Sequence, residues 1–169
     1  MHNDLTPSVD PSPPSPLLLA DLREIIRRGQ SQAVAAVKST LTLTYWHVGQ
    51  RINSEVLRGV RAAYGQQVVA LVAENLVTAC GKSFEAKNLR RMMQFAEIFS
   101  DLEIVVPLAR HLSWSHFLLL IPLPSPEARL FYASQASQAA WGKRELARQI
   151  CGHRTGGAAE PAKRQHHGG

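Results

Sequence analysis

The sequence is poor in cysteine and has no long apolar run. Its two cysteines, Cys80 and Cys151, are far apart and show no paired spacing, which excludes a zinc-ligand pattern and a disulfide framework. No segment approaches the roughly 20 apolar residues of a membrane-spanning helix, and the N-terminus lacks a basic region followed by an apolar run. These absences predict a soluble, cytoplasmic protein with no metal or cofactor site.

Acidic residues are also scarce relative to basic ones. The 169 residues include 19 Lys+Arg and 13 Asp+Glu, a formal net charge of +6, and the pI is about 9.8. A basic chain favours a polyanionic partner, although many basic proteins bind no polyanion. With 45% hydrophobic residues, the chain can bury one core of domain size.

The two ends of the chain differ from the middle in composition. Residues 1–16 are dominated by Pro, Ser and Asp and are predicted to be a disordered leader. Residues 152–169 are rich in glycine and contain no Leu, Ile, Val or aromatic residue, so we predict a flexible tail. Its His166 and His167 lack a third ligand for a metal. The ordered domain is therefore predicted to span residues 17–151.

Within the domain, apolar residues recur every three or four positions, which predicts a compact all-α fold of several helices. The pattern predicts one long helix from about Ser31 to Arg58, with a shorter separate helix before it. Gly81 is expected to end the next helix as a left-handed cap. Residues 101–110 are the only candidate for an extended segment, and Pro107 argues against a central strand there.

Residues 64–99 have the form of two helices joined by a short turn that contains glycine, typical of a helix-turn-helix unit. The apolar period of the second helix predicts a buried face made of Leu89, Met92, Ala96 and Phe99. The opposite face and the turn before it then carry the predicted DNA-binding residues Lys82, Ser83, Lys87, Asn88, Arg90, Arg91 and Gln94.

Each of these residue types suits a particular contact with DNA. Lys and Arg neutralise phosphates, whereas the amides of Asn88 and Gln94 can present a donor and an acceptor to a base edge. Lys82 and Ser83 would meet the DNA backbone near the start of the helix. From the residues alone, the face could equally be the solvated side of an ordinary bundle helix.

Two short motifs suggest catalysis, and neither is complete. Glu85 and Lys87 match half of a metal-dependent nuclease motif, but no second carboxylate is expected to converge on the same ion. The other motif is the stretch "HLSWSH", which contains two serines and two histidines.

On a helix, Ser113 and Ser115 are predicted to point to different sides, with no acid to orient a histidine. We expect Ser113 to cap a helix, His116 to lie at a helix interface, and both Trp114 and Trp141 to be largely buried and to tie C-terminal helices to the long one. No catalytic residue is predicted.

Five stretches, "YWHVGQRI", "YGQQVVALVAENL", "GKSFEAKNLRRMMQFAEIF", "LSWSHFLLLI" and "RLFYASQASQAAWGKRELARQI", resemble the N-terminal domain of the YhcG-like family over about Ser31 to Ile150. The resemblance implies an all-helical, winged-helix-like DNA-binding module that precedes a separate PD-(D/E)XK nuclease domain in bacteria. The sequence departs from the family pattern at His47, where an acidic residue is common, and at Gly142, where serine is usual.

The chain ends where the resemblance places the start of the nuclease domain. We therefore expect a DNA-binding module that is not itself an enzyme and that binds duplex DNA weakly. The alternative is a module for protein docking or oligomerisation, which binds a second copy or a separate nuclease subunit and makes no contact with DNA.

Overall fold

The computed structural model describes residues 15–57 and 62–155. Across these residues the chain is helical and contains no strand, which confirms the all-α prediction. The elements are α1 (Pro16–Leu57), α2 (Ala62–Cys80), a 3-10 helix (Lys82–Phe84), α3 (Ala86–Ile98), α4 (Leu102–Ala109), α5 (Trp114–Leu120), α6 (Pro126–Gln138) and α7 (Lys143–Thr155).

The candidate for an extended segment is helix α4, so that expectation was wrong. Asp101 caps the helix, because its side chain accepts a hydrogen bond of 2.8 Å from the backbone N–H of Glu103. Pro107 lies inside the helix and removes one backbone hydrogen bond. Burial of Val105 and Ala109 on the inner side offsets that loss.

The winged-helix part of the prediction is not supported. A wing is built from strands, and the residues that the structure describes have none, since the single candidate for an extended segment is helical.

The two helices predicted before residue 58 are one continuous helix, α1. The residues between them include Gly29 but no proline, and a single glycine costs a helix only about 1 kcal/mol. Glu24 adds ion pairs to Arg27 and Arg28, each 2.7 Å long, within one turn. The hydrogen bonds from these two arginines hold the pKa of the Glu24 carboxyl below its usual value.

The described part of the chain divides into two compact units, with the boundary between residues 35 and 36. In the first unit, the described part of α1 exposes a set of large apolar side chains: Leu17, Leu18, Leu22, Ile25, Ile26 and Val34.

The second unit contains two groups of buried side chains. The smaller, here called the hairpin cluster, consists of Ile52 with residues of α2 and α3, namely Val69, Ala73, Leu89 and Met92. The larger, here called the C-terminal cluster, joins α1, α3 and the helices after them, and its members include Trp46, Phe95, Phe99, Phe117, Leu120, Tyr132 and Leu146.

Trp114 packs against both clusters, because its ring contacts Tyr45 of α1 and Phe95 of α3 at centroid distances of 5.3 and 5.5 Å. Trp114 therefore links α5 to the long helix as predicted. Trp114 and Trp141 are both partly buried and pack against the C-terminal cluster, in line with the expected burial, although neither lies fully inside the core. The tryptophan in the core is Trp46, with 3% of its surface exposed, and its Nε1–H donates to the carbonyl oxygen of Phe99 at 2.7 Å.

Several helix ends agree with the prediction. Ser113 is the N-cap of α5. The side chain of Ser125 caps α6 by accepting from the backbone N–H of Ala128 at 3.1 Å, and Pro126 occupies the first turn.

The first and last helices extend slightly beyond residues 17 and 151, between which the ordered domain is predicted. α1 begins at Pro16, the last residue of the predicted leader, and α7 continues to Thr155, beyond the predicted end at residue 151. The rest of the predicted leader, residues 1–14, and the rest of the predicted tail, residues 156–169 with its two histidines, lie outside the described residues. Among the helices that the structure describes, none has the length and apolar character needed to cross a membrane.

Candidate nucleic-acid interface

Helices α2 and α3 are joined by residues 81–85 and pack against each other. α2 ends at Cys80, and Gly81 follows with a φ of +96°, so the prediction that this glycine ends the helix is confirmed. Its ψ of 176° lies outside the left-handed helical region, so the left-handed cap that was predicted does not form; Gly81 instead adopts a conformation that is essentially restricted to glycine. The turn then continues as the 3-10 helix that contains Lys82 and Ser83.

α3 is fixed in place by unusually close contact with α1. A Cβ atom on Gly49 would lie 1.9 Å from the carbonyl oxygen of Met92, so only glycine allows the two backbones to approach this closely. One turn further along α1, the side-chain amide of Asn53 donates to the carbonyl oxygen of Met93 at 2.9 Å. These two contacts, near the middle of α3, therefore fix its orientation against α1.

The buried face of α3 is the predicted one, with one addition. Leu89, Met92, Ala96 and Phe99 are all buried, as the apolar period predicts. Phe95 is buried as well and contacts Phe117 at a centroid distance of 4.6 Å. The inner face of α3 is therefore wide enough to contribute to both clusters.

The remaining residues of α3 and the turn form the candidate interface. Lys82, Ser83, Lys87, Arg90 and Gln94 are exposed, whereas Asn88 and Arg91 are half-buried. This surface carries four cations, and the exposed carboxylates on the same segment are those of Glu85 and Glu97.

The cations of this surface have no carboxylate partner in the described parts of the chain. Ion pairs elsewhere join Arg27 and Arg28 to Glu24, Arg51 to Glu55, and Arg148 to Glu145. No described carboxylate pairs with Lys82, Lys87, Arg90 or Arg91, so these four charges are available to an external anion.

The structure adds one residue that the sequence analysis missed. Arg91 and Gln94 line a cavity of about 330 Å³ together with Lys143, the first residue of α7, and with the end of α5. Lys143 lies about 50 residues further along the chain, in a different helix. No local period connects it with α3, so the sequence gives no signal for this pairing.

Ser113 and His116 of "HLSWSH" form a helix cap. The backbone N–H of Ser113 donates to Nδ1 of His116 at 3.1 Å, and Nε2 of His116 lies 2.9 Å from the carbonyl oxygen of Trp141. Since Nδ1 accepts a hydrogen bond, Nε2 carries the proton and donates it to that carbonyl. His116 is buried and satisfied at both nitrogens, as expected for an interfacial histidine.

The two serines do not point to different sides, which corrects that prediction. Their hydroxyl oxygens lie 2.9 Å apart, and Oγ of Ser113 also lies 2.8 Å from Nδ1 of His116. The reason is that Ser113 precedes the first helical turn and so does not follow the angular spacing of helix residues. The group that orients His116 is the backbone carbonyl of Trp141. Ser113, Ser115 and His116 therefore lack the acid of a catalytic triad.

The described residues include no group of three or more His, Cys, Asp or Glu side chains that could hold a metal ion. Glu85, the acidic residue of the incomplete nuclease motif, is an exposed residue at the start of α3.

A second surface feature is an apolar groove of about 730 Å³ between α1 and α2. Its apolar lining consists of Val48, Ile52, Val68, Val72 and Leu76. The polar residues of the lining are Thr44, His47, Arg51 and Glu55, and the last two pair with each other at 2.9 Å.

Comparison with known proteins gives one family and one curated relative. Residues 21–154 match the family described as DUF1016 N-terminal domain. The chain is 26% identical over 156 residues to the protein named "Putative nuclease YhcG" of Escherichia coli (strain K12). The match covers 75% of this chain and 42% of the relative, so the chain spans less than half the length of that protein. No solved structure matches the chain.

The family match extends from within α1 to within α7 and so includes both clusters and the candidate interface. The predicted relation to YhcG-like proteins is confirmed, and the chain belongs to the DUF1016 N-terminal domain family.

Proposed function

We propose that this chain is a DNA-binding module of a nuclease-associated protein and that α2 and α3 act as a helix-turn-helix unit. α3 would lie against duplex DNA with its exposed face, while the 3-10 helix with Lys82 and Ser83 meets the phosphates at one side. The relation to a protein named as a nuclease supports the association with DNA. Within this proposal the module binds DNA, and cleavage is the task of a separate nuclease domain.

The observation that carries the proposal is the contrast between the two faces of α3. Its inner face is buried and fixed by Gly49 and Asn53, which gives the outer face a rigid orientation. The outer face holds cations without carboxylate partners in the described chain, next to the exposed amide of Gln94. Cations that already have a partner would lose that interaction on binding a phosphate, whereas these would not.

Binding is expected to be weak, on the order of 10⁻⁴ to 10⁻⁶ M at physiological salt, because one small surface contacts few phosphates. Fluorescence anisotropy with a labelled duplex, repeated over a series of salt concentrations, measures both the affinity and the number of phosphate contacts. For duplex DNA, a plot of the logarithm of the affinity against the logarithm of the salt concentration has a slope of roughly −0.9 per phosphate contact.

The decisive variant is Lys87→Ala combined with Arg91→Ala. We expect affinity for every duplex sequence to fall and the salt slope to flatten by about one unit for each lost contact. Asn88→Ala and Gln94→Ala should change binding only if the protein reads bases.

The matched control is Lys38→Ala combined with Arg110→Ala. It removes the same two residue types at exposed positions outside the α2–α3 unit. Equal losses in the two double variants would show that net charge alone attracts DNA. A Lys87 and Arg91 variant that keeps its helical circular dichroism and binds as tightly as the parent would contradict the proposal.

The second candidate function is protein docking, and the apolar groove between α1 and α2 favours it. The occupant with matching chemistry is the apolar helical segment of residues 17–26 from a second copy of the chain, whose Leu and Ile side chains are exposed. Self-association that persists at high salt, measured by sedimentation, would support this function. A monomer at all concentrations would count against it.

A further inference from the structure

The cavity beside α3 has two kinds of lining that come from different elements. Arg91 and Gln94 of α3 and Lys143 of α7 supply two cations and an amide. The end of α5 and the turn after it supply the apolar part, Leu118, Leu119, Ile121 and Pro122. No carboxylate is among the lining residues, so a bound anion would meet no repulsion there.

This combination is the chemical complement of a nucleotide. A nucleotide presents a charged phosphate, a base edge with donors and acceptors, and a flat apolar face, and the cavity offers a partner for each. Its volume of about 330 Å³ falls within the range of about 300–1,000 Å³ that is usual for small-molecule sites. A small anion with no base, or a purely apolar ligand, would leave one half of this lining without a partner.

The position of the cavity decides which nucleotide it can take. Arg91 and Gln94 also belong to the exposed face of α3 that is proposed to meet the duplex. In an intact duplex every base is stacked inside the helix, so only a base that has left the stack can enter a cavity in the protein. The cost of unstacking is lowest when the base is already unpaired.

We propose that this cavity binds one unpaired nucleotide of DNA. Its phosphate lies between Arg91 and Lys143, its base lies against Leu118 and Ile121, and the amide of Gln94 faces the base edge. This inference rests on the proposed duplex binding by α3. It adds a preference for DNA with a bulge or a single-stranded gap over fully paired DNA.

The test compares three labelled DNAs of equal length: an intact duplex, the same duplex with a single-base bulge, and the single strand. Anisotropy should give an affinity for the bulged duplex about fivefold to tenfold above that for the intact one, because the cavity buries the apolar face of one base against aliphatic side chains. With 2-aminopurine as the bulged base, its fluorescence should change on binding. A labelled duplex with an abasic bulge, which lacks the base, should bind no more tightly than the intact duplex.

Two neighbouring residues provide the variant and its control. Lys143 lines the cavity, whereas Arg144 is also exposed but does not line it. Lys143→Ala should remove the preference for the bulge and leave intact-duplex binding nearly unchanged, and Arg144→Ala should keep the preference. Because both positions are exposed, neither change should disturb the fold.

Failure of this inference can be told apart from failure of the proposed function. If the parent binds intact duplex and Lys87→Ala with Arg91→Ala weakens it, but the bulge gives no gain, the cavity inference is overturned and the duplex interface stands. Equal effects of Lys143→Ala and Arg144→Ala would also overturn it. If none of the three DNAs binds, both proposals fail.

Discussion

The two halves of α1 share an apolar period but differ in burial. Around residues 17–26 the large apolar side chains are exposed, and Leu17 keeps 77% of its surface and Ile25 64%. In the second half, Trp46 and Ile52 expose only 3% and 7% of their surface, and even the polar Thr42 is fully buried. Thr42 satisfies its hydroxyl within the helix by donating to the carbonyl oxygen of Lys38 at 2.9 Å.

The difference teaches that a helical period shows which side of a helix can be buried, not whether another element covers it. The second half is covered because α3 approaches it at Gly49, a position without a side chain. Coverage therefore depends on contacts between residues distant in sequence.

The largest loss of stability is expected from Trp46→Ala. The change empties a fully packed site in the C-terminal cluster and removes the donor to the Phe99 carbonyl. We expect a loss of about 3–5 kcal/mol in the free energy of unfolding. Thermal unfolding followed by circular dichroism should show a midpoint lower by more than about 10 °C.

Trp141→Ala is the comparison, because Trp141 is half-buried against the same cluster. Its loss should be clearly smaller. Equal losses for the two variants would mean that depth of burial does not set the contribution of these tryptophans.

Gly49→Ala should have the next largest effect. The added Cβ would meet backbone atoms of Met92 at 1.9 and 2.3 Å and of Met93 at 2.9 Å, and backbone cannot move aside as a side-chain tip can. The helices must separate, which should cost about 1–3 kcal/mol or more. Chemical denaturation with circular dichroism measures this change.

Gly29→Ala is the matched substitution in the other half of the same helix. A Cβ there meets nothing within 4 Å, and alanine favours a helix over glycine by up to about 1 kcal/mol. We expect unchanged or slightly increased helicity. If Gly29→Ala were as harmful as Gly49→Ala, α1 would have close contacts along both halves, and the comparison would fail.

The smallest effect on stability is expected from Leu22→Gln combined with Ile26→Gln. Both side chains are exposed, at 45% and 57%, so the unfolding free energy should change by less than about 0.5 kcal/mol per site. The same variant should weaken self-association if a second copy covers this face. Leu71→Gln with Ile104→Gln, also exposed at 61% and 40%, is the control for sedimentation measurements.

Local rules predicted much of this fold. The capping residues Ser113 and Ser125, the glycine that ends α2, and the inner face of α3 follow from composition and period, because short-range sterics and hydrogen bonds fix them. Helix α4 was not predicted, and it forms despite Pro107 because Asp101 caps its start and Val105 is buried on its inner side. Tertiary contacts also decided which tryptophan is in the core.

The candidate site also has one part that local rules predict and one part that depends on tertiary contacts. The period of α3 alone separates Lys87, Arg90 and Gln94 from the buried side chains. The cavity with Lys143 could not be predicted, because it exists only where α3, α5 and α7 meet. Residues that act from one helix can be read from a sequence, whereas residues that three helices bring together require the structure.

Because α3 contributes buried side chains to both clusters, neither cluster can open alone without exposing part of the other. Trp114 strengthens this link, since its ring packs against both. In native-state hydrogen exchange, amides of α2, α3 and α5 should therefore open as one cooperative unit with a common free energy. A surface for DNA on α3 would then stay ordered for as long as the domain as a whole is folded.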